Sequence, residues 1–165
     1  MKLYHAAGVV WMLVLCLTLE GGGTVKKEDV PKYVKMLSSK KASERATAAD
    51  MLGKRGSINV NDVKDAIDPI KTMVKEDSDA NARKAAATAL GAIQPDETVP
   101  LLTEVVSNDK SVDVKLAAVQ ALATFGPEAK SALQAIRNFA ATQKDNKKNL
   151  QIINTAQKAI AGKKK

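Results

Sequence analysis

Two alanine-rich stretches of nearly the same sequence limit what this chain can fold into. Asn81-Ala-Arg-Lys-Ala-Ala-Ala-Thr-Ala-Leu-Gly is followed by Val114-Lys-Leu-Ala-Ala-Val-Gln-Ala-Leu-Ala, with Thr98-Val-Pro-Leu-Leu between them. Aligned without gaps, the alanine-rich segments fall into columns. Arg45, Arg83 and Lys115 share one; Ala48, Ala86, Ala118 and Ala156 share another. Leu52, Leu90, Leu122 and Ile160 form a third, and Gly53, Gly91, Ala123 and Ala161 a fourth. Pro31, Pro69 and Pro100 head the apolar segments between them and recur at matching intervals. Two sets of columns sharing one variable period mark an array of helical units. One helix pair cannot bury both its faces, so such units must stack.

The segment starting at Asn81 closely resembles the first helix of HEAT-like repeats, in the short Ala-rich form also found in phycobilisome-lyase-type proteins. Gly126-Pro-Glu-Ala-Lys-Ser-Ala-Leu resembles the inter-helix turn and second-helix start of that unit. The similarity covers about residues 28–162. It implies an all-α fold, an α-solenoid (HEAT/armadillo-like superhelix) of about four helix pairs. The first and last units match least well. Asn154, Gln157 and Lys158 stand where the middle units carry more Ala and Val, as a capping repeat requires. The resemblance specifies a fold rather than an activity. It also implies that the second helices line a concave surface, which makes Lys71, Lys75, Thr103, Glu104, Gln134, Arg137 and Asn138 the candidate partner-binding residues. The implied partner is a protein or peptide.

The spacing of apolar residues predicts each helix. Val30, Val34 and Leu37 recur at helical intervals. Ser43–Lys54 follows, with Ser43 as its N-cap and Gly53 and Gly56 ending it. Residues 57–62 read as a loop. Val63, Ile67, Ile70, Met73 and Val74 then form a stripe interrupted by Pro69. Proline in mid-helix costs about 3 kcal/mol. The regular helix is therefore predicted to start near Asp68, with residues 62–67 as a separate short turn. Ala80–Ile93, Thr98–Val106, Ser111–Phe125, Ala129–Ala141 and Leu150–Ala161 complete the series. Glu76-Asp77-Ser78-Asp79 is a polar turn able to cap the helix after it. Aromatics make up only 3% of the chain against 45% hydrophobic residues, so the core must be aliphatic.

The N-terminal segment, up to Gly23, differs in kind. A basic start, a nearly unbroken apolar run over residues 6–19 and Glu20-Gly-Gly-Gly give the three-part layout of a secretory signal peptide, with cleavage near Gly23. The alternative is an uncleaved N-terminal anchor formed by residues 6–19. Lipidation at Cys16 is less favoured, because Leu15 precedes it where a small residue is usual. Residues 24–27 are expected to be a linker, 28–162 the repeat domain and 163–165 a basic tail. The expected location is therefore exported, periplasmic or secreted.

That cleavage removes His5, Trp11 and Cys16, the chain's only residues of those types. Without them zinc sites, haem ligation and the usual nucleophile–base pairs are lost. No catalytic, cofactor-binding or metal-binding residue is predicted, and no cofactor. Asp62, Asp65 and Asp68 could share a weak calcium site, but solvation and helix-dipole compensation are favoured. The net charge of +8 is mostly C-terminal: residues 143–165 hold seven lysines against Asp145. Arg45, Arg55, Arg83 and Arg137 are the only arginines. Base reading and base stacking are thus poorly served, and no nucleic-acid partner is expected. Bilin-lyase activity, the other implication of the resemblance, lacks the aromatics and histidine of a tetrapyrrole pocket. The column Arg45, Arg83, Lys115 is either a basic ladder for acidic groups or a set of ties to an acid in the preceding turn, such as Asp79 or Asp113, that join units; the second is favoured. The expected function is an exported, non-enzymatic scaffold for a protein or peptide, an acidic one included. The alternative is a membrane-surface protein held by its basic tail or an uncleaved anchor.

Overall fold

A computed structural model describes residues 25–162. The expected signal or anchor, its cleavage point and the lysine tail lie outside the described residues. Within them the chain forms eight α-helices and no strand. These are α1 (Val30–Met36), α2 (Ala42–Gly56), α3 (Lys64–Glu76), α4 (Ala80–Ile93), α5 (Thr98–Asn108), α6 (Val112–Thr124), α7 (Leu133–Thr142) and α8 (Lys147–Ala161). The alanine-rich helices α2, α4, α6 and α8 stack side by side in one layer, and α3, α5 and α7 follow one another in a second. Helix α1 packs on α2, α3 on α4, α5 on α6 and α7 on α8, which makes four pairs. The array is the expected all-α solenoid.

The core runs through the stack as one cluster. Leu52, Leu90, Leu122 and Ile160 are all fully buried. Each contributes roughly 1.5–3 kcal/mol. Helix α4, flanked by α2, α3 and α6, is buried almost all round, including Ala82, Ala85, Ala86, Ala87 and Ala89. Its start is fixed by Asp79, whose Oδ1 accepts from the N–H groups of Asn81 and Ala82 at 2.8 and 3.0 Å. Phe139 and Ile136 point inward from α7 as expected, while Leu133 is only half-buried.

Three local expectations are corrected. Ser43 does not cap α2: the helix begins at Ala42, and the Ser43 carbonyl already accepts from Thr47 Oγ1 at 2.8 Å. Gly53 and Gly56 do not end α2 but lie inside it, buried. A Cβ on Gly53 would sit 2.9 Å from Ala89 Cα, so glycine is there to let α4 approach. Helix α3 runs continuously from Lys64 through Pro69, its sixth residue. Ala66 and Ile70 on either side of Pro69 are fully buried, with Met73 and Val74 nearly so. That burial outweighs the missing hydrogen bond. Residues 60–63, expected as loop and separate turn, form a 3-10 turn leading into α3.

The chain is also tied down where the linker was expected. Val25 is buried, and Lys27 Nζ lies 3.2 Å from Asp62 Oδ1.

Candidate functional site

The strongest electrostatic features are ties between successive units. Arg45 Nε and Nη2 donate to the Asp77 carboxylate at 2.6 and 2.7 Å. One unit on, Arg83 Nε and Nη2 donate to Asp109 at 2.7 and 3.0 Å. Each arginine also donates Nη1 to a turn carbonyl, Arg45 to Ser39 and Arg83 to Asp77. The partners are Asp77 and Asp109, in the turns that open the next alanine-rich helix, and not Asp79 or Asp113. Two-pronged pairing of this kind needs the planar guanidinium. Lys115, third in the column, instead donates to the Ser107 carbonyl at 2.9 Å and lies 5.7 Å from the centre of the Phe139 ring.

These contacts explain the shifted acidities. The Arg45 hydrogen bonds hold the Asp77 carboxyl below the usual carboxylate range. Burial would raise Asp109, but the bonds from Arg83 and the Ser111 N–H outweigh it and lower that carboxyl too. Arg55 and then Lys27 lower Asp62 against its own desolvation. Perturbed acids can mark active sites, yet each of these is saturated by a structural partner. Asp62 is turned inward onto Arg55 and Lys27, with its side chain 3% exposed. Asp65 and Asp68 are exposed, so the three do not converge. Among the described residues no group of His, Cys, Asp or Glu is arranged to hold a metal ion.

The seven candidate residues lie on α3, α5 and α7, and the structure divides them. Lys75 Nζ pairs with Glu104 Oε2 at 3.4 Å, each side chain about half-exposed. Lys71 Nζ donates to the Asp96 carbonyl at 3.2 Å. Thr103 Oγ1 donates to the Val99 carbonyl at 2.7 Å within its own helix. Gln134 Nε2 donates to Asn138 Oδ1 at 3.0 Å. Arg137 is exposed and makes no hydrogen bond or ion pair among the described residues. The row is therefore mostly occupied by weak internal bonds, and Arg137 is its one guanidinium.

A second surface was missed by sequence reasoning. Between α6 and α8 lies an open groove of about 290 Å³ lined by Gln120, Ala123, Gln151, Ile152, Thr155, Ala156 and Ala159. Its floor is methyl groups and its rim is two amides and a hydroxyl. It falls where the glycine column changes to alanine. A Cβ on Gly53 would meet Ala89, and one on Gly91 would lie 2.6 Å from Ala121 Cβ. Both interfaces therefore close backbone to backbone. At the third interface the column holds Ala123, and there the groove lies open. The change from Gly53 and Gly91 to Ala123 was visible in the alignment. The groove itself is visible only in the packing geometry.

Residues 30–123 and 67–149 match the HEAT-repeat family. The two matches together cover most of the chain, and the chain belongs to that family. No curated protein matches it. The repeats of this family commonly serve as protein-interaction scaffolds.

Proposed function

We propose that this protein is an exported scaffold that binds a segment of another protein in the α6–α8 groove. The groove carries the reading: an apolar floor of Ala123, Ile152, Ala156 and Ala159 under a rim of Gln120, Gln151 and Thr155. The floor takes one apolar side chain, and the amides take backbone N–H and C=O groups of an extended, uncharged segment. Among the described residues no charged side chain lines the groove, so a charged occupant would lose hydration without a counter-charge. The row on α3, α5 and α7 is a second contact surface for an acidic flank of the same partner. Arg137 supplies its cation, and the exposed Lys75–Glu104 pair yields readily because such pairs contribute little.

The test uses a chain starting at Thr24 as bait against the exported fraction. Captured proteins are then titrated individually. Ala123→Leu fills the groove without touching the row, and Lys75→Glu with Arg137→Glu reverses the row without touching the groove. A genuine partner loses tenfold or more affinity with Ala123→Leu, and a smaller, salt-dependent factor with the charge reversals. Equal binding by all three chains removes the proposal.

A second reading is favoured by one observation, the exposed apolar pair Ile58 and Val60 beside the point where the chain enters the array. In that reading residues 6–19 are kept and anchor the solenoid to a membrane.

A further inference from the structure

The connections that follow three of the alanine-rich helices carry acids: Asp62 after α2, Asp96 and Glu97 after α4, and Glu128 after α6. After α2 the chain supplies the cation itself. Arg55, in the last turn of α2, donates Nε to Asp62 at 2.8 Å and Nη2 to the same carboxylate oxygen. In the repeat alignment Arg55 shares a column with Ile93 and Phe125. The last turns of α4 and α6 contain no basic residue. Among the described residues Asp96, Glu97 and Glu128 make no ion pair. These three acids line a single cleft of about 230 Å³ between the α4–α5 and α6–α7 connections.

We propose that this cleft binds an arginine side chain of another protein. The acids do not carry the proposal alone. Thr98 also lines the cleft and is 1% exposed, and its Oγ1 is a buried side-chain oxygen with no hydrogen-bond partner among the described residues. A buried hydroxyl without a partner is costly, and a donor entering the cleft gives it one. Gln94 and Glu97 hold the α4–α5 connection in left-handed backbone, with φ 53° and 60°, and Gln94 Nε2 joins it to the end of α6 by donating to the Thr124 carbonyl at 2.8 Å. The C-terminal ends of α4 and α6 border the cleft through Gln94 and Phe125, and each bears about half a negative charge. The N-terminal end of α5 opposes them with about half a positive charge, far below the full charges of three carboxylates. Lys71 reaches the connection, but its Nζ donates to the Asp96 carbonyl at 3.2 Å and not to a carboxylate.

A guanidinium suits this lining better than an ammonium. Its donors lie in one plane and suffice for the Thr98 oxygen and for carboxylate oxygens together. It is also the more weakly hydrated cation, and its flat face can lie on the half-buried Phe125. Arg55 on Asp62 is the same pairing made within the chain. The cation is organic, because no group of His, Cys, Asp or Glu among the described residues is arranged to hold a metal ion. The cleft shares no lining residue with the α6–α8 groove, so the inference stands apart from what that groove binds.

The test is an NMR titration of the isotope-labelled chain starting at Thr24 with two end-capped tripeptides, Gly-Arg-Gly and Gly-Lys-Gly. The expected result is saturable shifts of the amides of Asp96, Glu97, Thr98 and Glu128, with the lysine peptide several-fold weaker. Thr98→Val removes the unpartnered hydroxyl and keeps the shape, so the urea midpoint should not fall. Glu128 is exposed, so Glu128→Gln tests the cleft without touching the core. Each change should weaken the arginine peptide about three- to fivefold. Asp65→Asn removes an exposed acid elsewhere and should leave binding as it was. Absence of shifts at these amides, equal binding of the two peptides, or undiminished binding by Thr98→Val and Glu128→Gln overturns the proposal. So does an equal loss from Asp65→Asn, which would mark attraction to acids in general.

Discussion

Gly91 stands where a single methyl group decides how closely two helices pack. Its added Cβ would lie 2.7 Å from Ala121 Cα and 2.6 Å from its Cβ. Gly91→Ala should therefore destabilise the array by about 1–3 kcal/mol through overpacking. The measurement is urea denaturation of single and double mutants with Ala121→Gly. Removing the opposing methyl should recover part of the loss, and strict additivity of the two changes would contradict the contact. Gly126 makes a control of another kind. It has φ +54° and nothing within 4 Å of an added Cβ, so its alanine variant meets only the left-handed backbone penalty of about 1–2 kcal/mol. Leu90, fully buried, should cost about 2–5 kcal/mol as Leu90→Ala. The leucine column was legible as core because its period is that of the repeat. The glycine column was legible as a column, with Gly91 rightly placed inside its helix, but Gly53 was misread as helix termination. Glycine is common at helix ends, and only the neighbouring helix shows that backbone approach is its role here.

At the scale of the element, α3 and the arginine ties carry the lessons. Pro69 lies inside α3 and its own side is exposed, so Pro69→Ala should restore a backbone hydrogen bond without disturbing the core. Mid-helix proline costs about 3 kcal/mol, and the stiffness it gives the unfolded chain returns up to about 1 kcal/mol of that. The expected outcome is a net gain of about 2 kcal/mol, seen as a higher urea midpoint at unchanged slope. The break predicted at Asp68 failed because local propensity lost to the burial of Ala66, Ile70, Met73 and Val74 along one face. Arg83→Met should have the opposite effect, leaving Asp109 buried without its cation. The expected loss is about 3 kcal/mol, toward the low end for a buried pair because the site is not wholly shielded. Asp109 should then titrate at higher pH, which carboxyl resonances in an NMR titration would report. That Arg45 and Arg83 tie units together through a turn acid was anticipated, but the acid expected in the preceding turn lies in the following one, and the preceding turn supplies only a carbonyl. Which aspartate they reach was not anticipated, because Asp77 and Asp79 differ only in direction: Asp79 turns back to cap α4 while Asp77 faces the preceding unit.

For the whole molecule, the ties predict how the array responds to acid. The carboxyls of Asp62, Asp77 and Asp109 are all held below the usual carboxylate range in the fold. Their unfolded values lie near 3.9. A lowered carboxyl contributes stability that is present above the unfolded value and lost as pH falls through the folded one. Asp50 runs the other way: desolvation raises it, Lys54 and Lys84 offset this only in part, and its protonation slightly favours the fold. Because three such groups outweigh one, the denaturation midpoint should stay nearly level from about pH 7 to 5 and fall steeply below about 4. A midpoint that rises below pH 4 would contradict the role of the ties. The repeat period, the leucine column and the helical class follow from the sequence alone, because stacking copies of one amphipathic unit has few solutions. What only the tertiary structure decided lies between units. It shows that Pro69 is tolerated, that Asp77 and Asp109 close the arginine ties, and that the third interface leaves a groove beside Ala123. Each depends on distances between residues far apart in the chain or on the summed burial of a whole face. A periodic pattern states which residues recur; it does not state how far apart the copies settle.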